Sequence, residues 1–344
     1  MSLSDLHNPK AAADLIAQFR ARFNLKTCMA PTSDHEGAIV SAHTLSIEAM
    51  LRKIAVDGHV FAVVQAKRIA LDTFPIQIQR RGLRDVSVFN GFCRKHDRVL
   101  FACLENESFR FTRQQTFMLA YRAAARECYL KRKQFESAPT PEQFAAVHGV
   151  RERPGLAEVM LLYQAGALSG AEDAESLKAS LDAHLLHQSW DRLITRAILF
   201  PKTPSLAGTA AFQPFFDMNG LQLQDPEDLE ADMSNVCMSL IPLDSGGAAV
   251  FSWLDSSNPA PARFVDSIAN QPNLTSSVLH AFLDNTENIA INPAWYDSLS
   301  QEEKQYLMSR IATFEAGPDY AAMKERGDEL RILDDWGAGT VAAF

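Results

Sequence analysis

Residues 28–37 read CMAPTSDHEG and residues 90–101 read NGFCRKHDRVLF. Each stretch carries one cysteine and one histidine: Cys28 and His35 across a loop rich in Pro, Thr, Ser, Asp and Gly, and Cys93 and His96 as a compact Cys-x-x-His. Thiolate and imidazole are the ligands that zinc prefers, and two segments that each give two ligands are the usual way to close a tetrahedral cage. Cys93 and His96 are also expected at a helix start, where the helix dipole favours thiolate. Between the two stretches lie His43, in AIVSAHTLS, and His59, in DGHVF. Cys28 pairs best with His35 or His43, and His59 could replace either histidine. The sequence leaves that choice open. It predicts a bound Zn²⁺ with a structural role.

Working outward, Ala38–Val40 reads as a short strand, Ser46–Ile54 as a helix and His59–Gln65 as a strand after the Asp57-Gly58 turn. Val86–Phe89 reads as another short strand, and Cys93–Leu104 and Thr112–Phe135 as helices. An amphipathic helix is expected over residues 10–24. The stretch Ser137–Pro154 holds Pro139, Pro141, Gly149 and Pro154 and reads as a connection between domains. Residues 155–199 look helical. From 209 onward, short apolar segments between Gly, Asp, Asn and Pro suggest a β-rich portion, with a last helix over Gln301–Glu315. The domains expected are thus residues 1–136 and 155–344.

The chain has 344 residues, 47% of them hydrophobic and 22% charged, the profile of a globular protein with a sizeable core. No apolar run is long enough for a membrane span, and no partner membrane is expected. The five cysteines are odd in number and widely spaced, and the first 25 residues lack the pattern of a signal peptide. A reducing cytoplasm is the expected location. The net charge of −9 is unevenly spread. Residues 76–133 hold 13 Lys/Arg against 5 Asp/Glu, a balance of +8, whereas residues 134–344 hold 12 against 30, a balance of −18. The basic segment could face nucleic acid, and the acidic half could meet a protein partner. P-loop, dinucleotide-binding, GxSxG and EF-hand patterns are all absent, and His35-Glu36 fails the HExxH pattern because Ile39 stands where the second histidine belongs.

Residues 28–104 resemble the treble-clef arrangement of HNH, or His-Me finger, nucleases. The phrases AHTLS, IAVDGHV and FNGFCRKHDRVLF also resemble a group of bacterial proteins without assigned function. The nuclease resemblance implies that Cys28, His35, Cys93 and His96 hold the structural zinc. It further implies that His43 is a general base, Asn90 orients it, and Asp97 takes the position of a further metal ligand, with Mg²⁺ as the catalytic ion. Arg80, Arg81, Arg84, Arg94, Lys95 and Arg98 would then grip phosphates. The expectation is an α+β protein with a zinc-containing treble-clef-like N-terminal module, a helical connector and a mixed, β-rich C-terminal portion. Its function would be that of a metal-dependent nuclease or phosphodiesterase. The competing expectation is a non-catalytic zinc-stabilised binding or regulatory module, in which His43 itself closes the zinc site.

Other candidates are weaker. His184 and His187 share a helix face. Cys103, Cys128 and Cys237 read as core, Glu127 as an intrahelical pairing residue, residues 284–288 as a capping turn, and Trp253 and Trp295 as packing residues.

Overall fold

The computed structural model describes residues 25–65, 76–138, 154–226, 228, 231–315, 331 and 333–344. The expected helix over 10–24 and most of the connection 137–154 lie outside them. The N-terminal part runs β1 (Ile39–His43), α1 (a π-turn Ile47–Leu51 continuing as Arg52–Ile54), β2 (His59–Gln65), β3 (Ile76–Gly82) and β4 (Val88–Cys93). Helices α2 (Arg94–Leu100), α3 (Ala102–Glu105), α4 (Arg113–Ser137) and α5 (Pro154–His187) follow. The rest is β5 (Leu193–Phe200), β6 (Leu206–Phe212), β7 (Val236–Pro242), β8 (Gly247–Leu254), α6 (Ala260–Ala269), α7 (Leu274–Asn285), β9 (Ile289–Ile291), α8 (Pro293–Ser298), α9 (Gln301–Glu315) and β10 (Thr340–Ala343). The protein is a mixed α+β structure built on antiparallel sheets.

Eight strands form one sheet in the order β10-β5-β8-β7-β6-β9-β2-β3, every neighbouring pair antiparallel. Because strand side chains alternate between faces, each strand feeds two cores. One face presents small residues: Ala197, Ala207, Ala211, Ala248 and Ala290. On the same face Thr195 meets Ser252 at 3.0 Å and Thr209 meets Ser239 at 3.3 Å. Small side chains let a helix come close, and α4 answers with Ala120, Ala123, Ala124 and Ala125, all buried. Thr112 starts α4 by accepting from the Gln115 N–H at 3.2 Å. The opposite face is bulky, with Phe200, Met238, Leu240, Phe251 and Trp253 packed against Phe264, Val278, Phe282, Leu307 and Ile311 of α6, α7 and α9.

A second, two-stranded sheet pairs β1 with β4, Ile39 opposite Cys93 and His43 opposite Val88, with an irregularity between Val40 and Ala42. It carries the Cys/His cluster.

Several expectations change. The run 193–199 is not helical: α5 ends at His187, Gln188 turns left-handed at φ 52°, and β5 follows. β-branched Ile194, Thr195 and Ile198, with buried Leu193, Thr195 and Ala197 alternating against outer positions, explain the strand. The expected helix 93–104 breaks at Phe101 into α2 and α3. Helices α6 and α7 stand inside the portion expected to be β-rich. The expected division between 1–136 and 155–344 runs through one sheet, since Phe61 and Ala62 of β2 pair with Ile291 and Ala290 of β9. No helix among the described residues is long and apolar enough to cross a membrane.

Candidate metal centre

The loop before β1 is stitched to β4 by backbone bonds: Thr27 N–H to Asn90 O (3.3 Å) and Met29 N–H to Gly91 O (2.9 Å). It then turns at Gly37, whose φ of +77° suits glycine, and a side chain there would crowd Arg94 Cβ at 3.2 Å. The turn lets two loop carbonyls cap α2, Ala38 accepting from Arg94 (3.0 Å) and Glu36 from Lys95 (3.3 Å). Cys28 is thereby set beside the junction of β4 and α2, where the Cys93 N–H donates to Cys28 Sγ at 3.3 Å.

Four ligand atoms converge there. Those of Cys28, His35, Cys93 and His96 all lie within 4.8 Å of one another. His96 Nδ1 is 3.3 Å from Cys28 Sγ, 3.3 Å from Cys93 Sγ and 3.3 Å from His35 Nδ1. In a tetrahedral zinc site with ordinary bond lengths, nitrogens stand about 3.3 Å apart and nitrogen and sulfur about 3.5 Å apart. The spacing therefore fits a single ion. Three polar atoms crowd one imidazole nitrogen, which has a single in-plane position for a hydrogen bond, and a shared cation would satisfy all four groups at once.

The far side of His96 is also built. Its Nε2 is 2.9 Å from Thr32 Oγ1 and 3.2 Å from Asp34 Oδ1, and Lys95 Nζ holds Asp34 at 2.7 Å. Lys95 above all, helped by Thr32 and His96, keeps the Asp34 carboxyl well below the usual carboxylate range. An ionised Asp34 draws the imidazole proton to Nε2 and frees Nδ1 to bind metal, the usual outer partner of a histidine ligand. Burial raises the Cys28 thiol. Burial acts the same way on Cys93, but donors from His96, Glu36, Cys28 and Lys95 outweigh it and lower the thiol. With two thiols and two imidazoles the cluster fills four positions, the set expected of a structural site with no opening for substrate.

His43 and His59 are outside this cluster. His59 is exposed and contacts Asp57 O at 2.7 Å. His43 ends β1, half-buried. Its ring bonds to the Leu83 backbone, and its Nε2 has no hydrogen-bond partner among the described residues. Burial lowers its basicity, against the Leu83 bond and the nearby charges of Glu105 and Asp97. Asp97, from α2, is raised by burial and opposed by Arg122. Asn90 accepts from Ser41 Oγ at 3.4 Å, so Leu83 rather than Asn90 orients His43 here.

The six basic residues divide between two elements and a turn. Arg80 and Arg81 stand on the edge strand β3, donating to Val56 O (3.4 Å) and Gln79 Oε1 (2.9 Å). Arg84 is exposed in the turn Leu83–Asp85, and Arg94, Lys95 and Arg98 lie on α2.

Elsewhere, His184 and His187 join no metal-like group among the described residues. Cys103, Cys128 and Cys237 are free and buried. Glu127 pairs with Lys131 four residues on. Asp284 and Glu287 pair with Arg310 and Arg126. Trp253 is buried and Trp295 donates to Leu333 O at 3.2 Å. Sequence reasoning passed over Thr32 and Asp34, which stood in the quoted loop but read as turn residues.

The class defined by fold and site is a mixed α+β protein with a Cys₂His₂ cluster that could hold a metal ion such as zinc. No family model matches the chain, and no curated protein or solved structure matches it.

Proposed function

We propose that the chain is a zinc-stapled, treble-clef-type nuclease or phosphodiesterase, with His43 as its general base. The observation that carries this reading is the separation of His43 from the four-ligand cluster, with a buried Nε2 that no described residue satisfies and the charge of Asp97 acting on the ring. A base must be neutral to accept a proton, and burial keeps His43 below its ordinary value. Leu83 holds the other side of the ring, leaving Nε2 to take the proton of a water as its oxygen attacks phosphorus. The ester oxygen then leaves with a proton from solvent. A Mg²⁺ held by Asp97 would supply charge stabilisation to the phosphoryl oxygens. Exposed Arg84, Arg94 and Arg98 would grip nucleic-acid phosphates, and the acidic half would meet a protein partner.

The test is cleavage of single- and double-stranded DNA and RNA by zinc-loaded protein with added Mg²⁺. The wild type should cut at least one of these, and His43→Ala should lose about 100-fold or more while keeping its zinc. Equal activity in the variant, or zinc loss with it, contradicts the reading. The burial of His43 Nε2 away from solvent favours a second reading, a non-catalytic zinc-stabilised binding or regulatory module. A zinc-loaded wild type that cuts none of the four substrates would support it.

A further inference from the structure

Cys28 and Cys93 differ from the other three cysteines. Cys103, Cys128 and Cys237 are buried and stand outside the Cys/His cluster. Cys28 alone of the five is partly open to solvent, while Cys93 is only 1% exposed. Their sulfurs lie within 4.8 Å of each other, and His96 Nδ1 is 3.3 Å from both. The Cys93 N–H donates to Cys28 Sγ at 3.3 Å, so the sulfur of one residue rests on the backbone of the other.

The two arms of the metal loop are held in different ways. The arm that carries Cys28 is bonded to the frame through its backbone. Thr27 and Met29 donate to β4, Leu25 O accepts from Tyr129 OH of α4 at 2.6 Å, and Met29 O accepts from Lys178 Nζ of α5 at 2.7 Å. None of these bonds needs a metal. The arm that carries His35 is exposed over residues 32–37. From Thr32 to His35 it reaches the frame through side chains: Thr32, Asp34 and His35 on His96, and Asp34 on Lys95. Exposed ion pairs of this kind contribute little. Loss of the ion would therefore leave Cys28 in place beside Cys93 and take from His35 the ion it shares. A disulfide needs its sulfurs about 2.05 Å apart, so the gap to close is at most about 2.8 Å, within the swing of two cysteine side chains.

We propose that Cys28 is a peroxide-reactive thiolate and Cys93 its resolving partner, so that oxidation replaces the metal with a Cys28–Cys93 disulfide. This rests on the cluster holding zinc, and not on the role of His43. A zinc-bound thiol is deprotonated, and a thiolate that solvent can reach is the form that peroxide oxidises. Cys28 Sγ attacks one oxygen of hydrogen peroxide, the O–O bond breaks, hydroxide leaves, and Cys28 becomes a sulfenic acid. Cys93 Sγ then attacks that sulfur as a thiolate, the S–O bond breaks, and a second hydroxide leaves. The two thiolates give up two electrons in all, and the peroxide takes them. Two imidazoles remain, a pair too few to retain Zn²⁺. A thiol reductant reverses the step.

The test uses the full, reduced, zinc-loaded chain with hydrogen peroxide as the oxidant. Released zinc is read with a chromogenic chelator, and the thiols are mapped by alkylation and mass spectrometry. The wild type should release its zinc in step with formation of a Cys28–Cys93 link, and dithiothreitol with added zinc should restore the starting state. Cys93→Ser should instead hold Cys28 as a sulfenic acid that dimedone traps, with no link. The wild-type mapping decides the matter even where that variant fails to fold. Zinc retained under excess peroxide, Cys28 carried on to sulfinic acid with Cys93 still free, or a link from Cys28 to another cysteine overturns the inference. A chain that never binds zinc contradicts the metal reading instead, and its zinc content before peroxide is added tells the two failures apart.

Discussion

At the scale of single residues, the two histidines His96 and His280 show how surroundings decide a role. His96 has an ionised carboxylate behind it and sulfur in front, and it is set up to bind metal. His280 is wholly buried in α7, its Nδ1 donating to Ser276 O at 2.7 Å and its Nε2 meeting Tyr306 OH at 2.8 Å. Burial, with Arg310 adding to it against Asp284 and the Ser276 bond, pushes its basicity below the ordinary value. His280 is thus neutral in the fold, while the unfolded chain takes up a proton below about pH 6.5. Unfolding then consumes protons, so stability falls as pH drops below that value toward the depressed folded one. The thermal midpoint should fall more between pH 7.5 and 5.5 in the wild type than in His280→Gln, which keeps a donor and an acceptor but cannot titrate. Identical slopes would contradict this role. The two cysteines and the Cys-x-x-His of the cluster were legible from residue type and spacing, because that pattern is local in the sequence. The choice of His35 over His43 was not, because it depends on how β1 leaves the loop.

At the scale of elements, α5 is joined to the metal loop by a buried cation. Lys178 is 4% exposed and donates to Met29 O at 2.7 Å and to Asp182 Oδ1 at 2.5 Å. Tyr121 of α4 donates to the same carboxylate at 2.8 Å. Met29 follows the ligand Cys28, so α4, α5 and the metal loop meet at one hydrogen-bonded point. Lys178→Met should destabilise the protein by about 2–4 kcal/mol, since it removes the shorter of two hydrogen bonds to the Met29 carbonyl, leaving the 3.5 Å contact from Tyr121 OH, and weakens the support of Asp182. Urea unfolding measures this, and a loss below about 0.5 kcal/mol, the range of ordinary surface changes, would contradict it. Strands β2 and the helices α4 and α9 were readable from period and composition. β3 was passed over because Arg80 and Arg81 drew it into a basic segment, although Ile76 and Ile78 alternate as a strand should. β5 was hidden because its apolar run continues directly from a helix.

At the scale of the whole molecule, the uneven charge of the sequence is folded together. Arg126 of the basic segment pairs with Glu287 of the acidic half at 2.6 Å, and Lys53 pairs with Asp244. β2 and β3 extend the sheet of the C-terminal strands. Pairings between residues more than 200 positions apart, such as Phe61 with Ile291, leave no mark on local sequence. The Cys/His module is attached to this frame through α4, α5 and the β1–β4 pair.

The most direct test of the account is the zinc content of purified wild-type, His96→Ala and His43→Ala protein. The account predicts about one zinc per chain in the wild type and in His43→Ala, and none in His96→Ala, whose cluster has lost a quarter of its ligands. A wild type without zinc, or a His43→Ala protein that loses it, would contradict the central claim that Cys28, His35, Cys93 and His96 form a closed metal site.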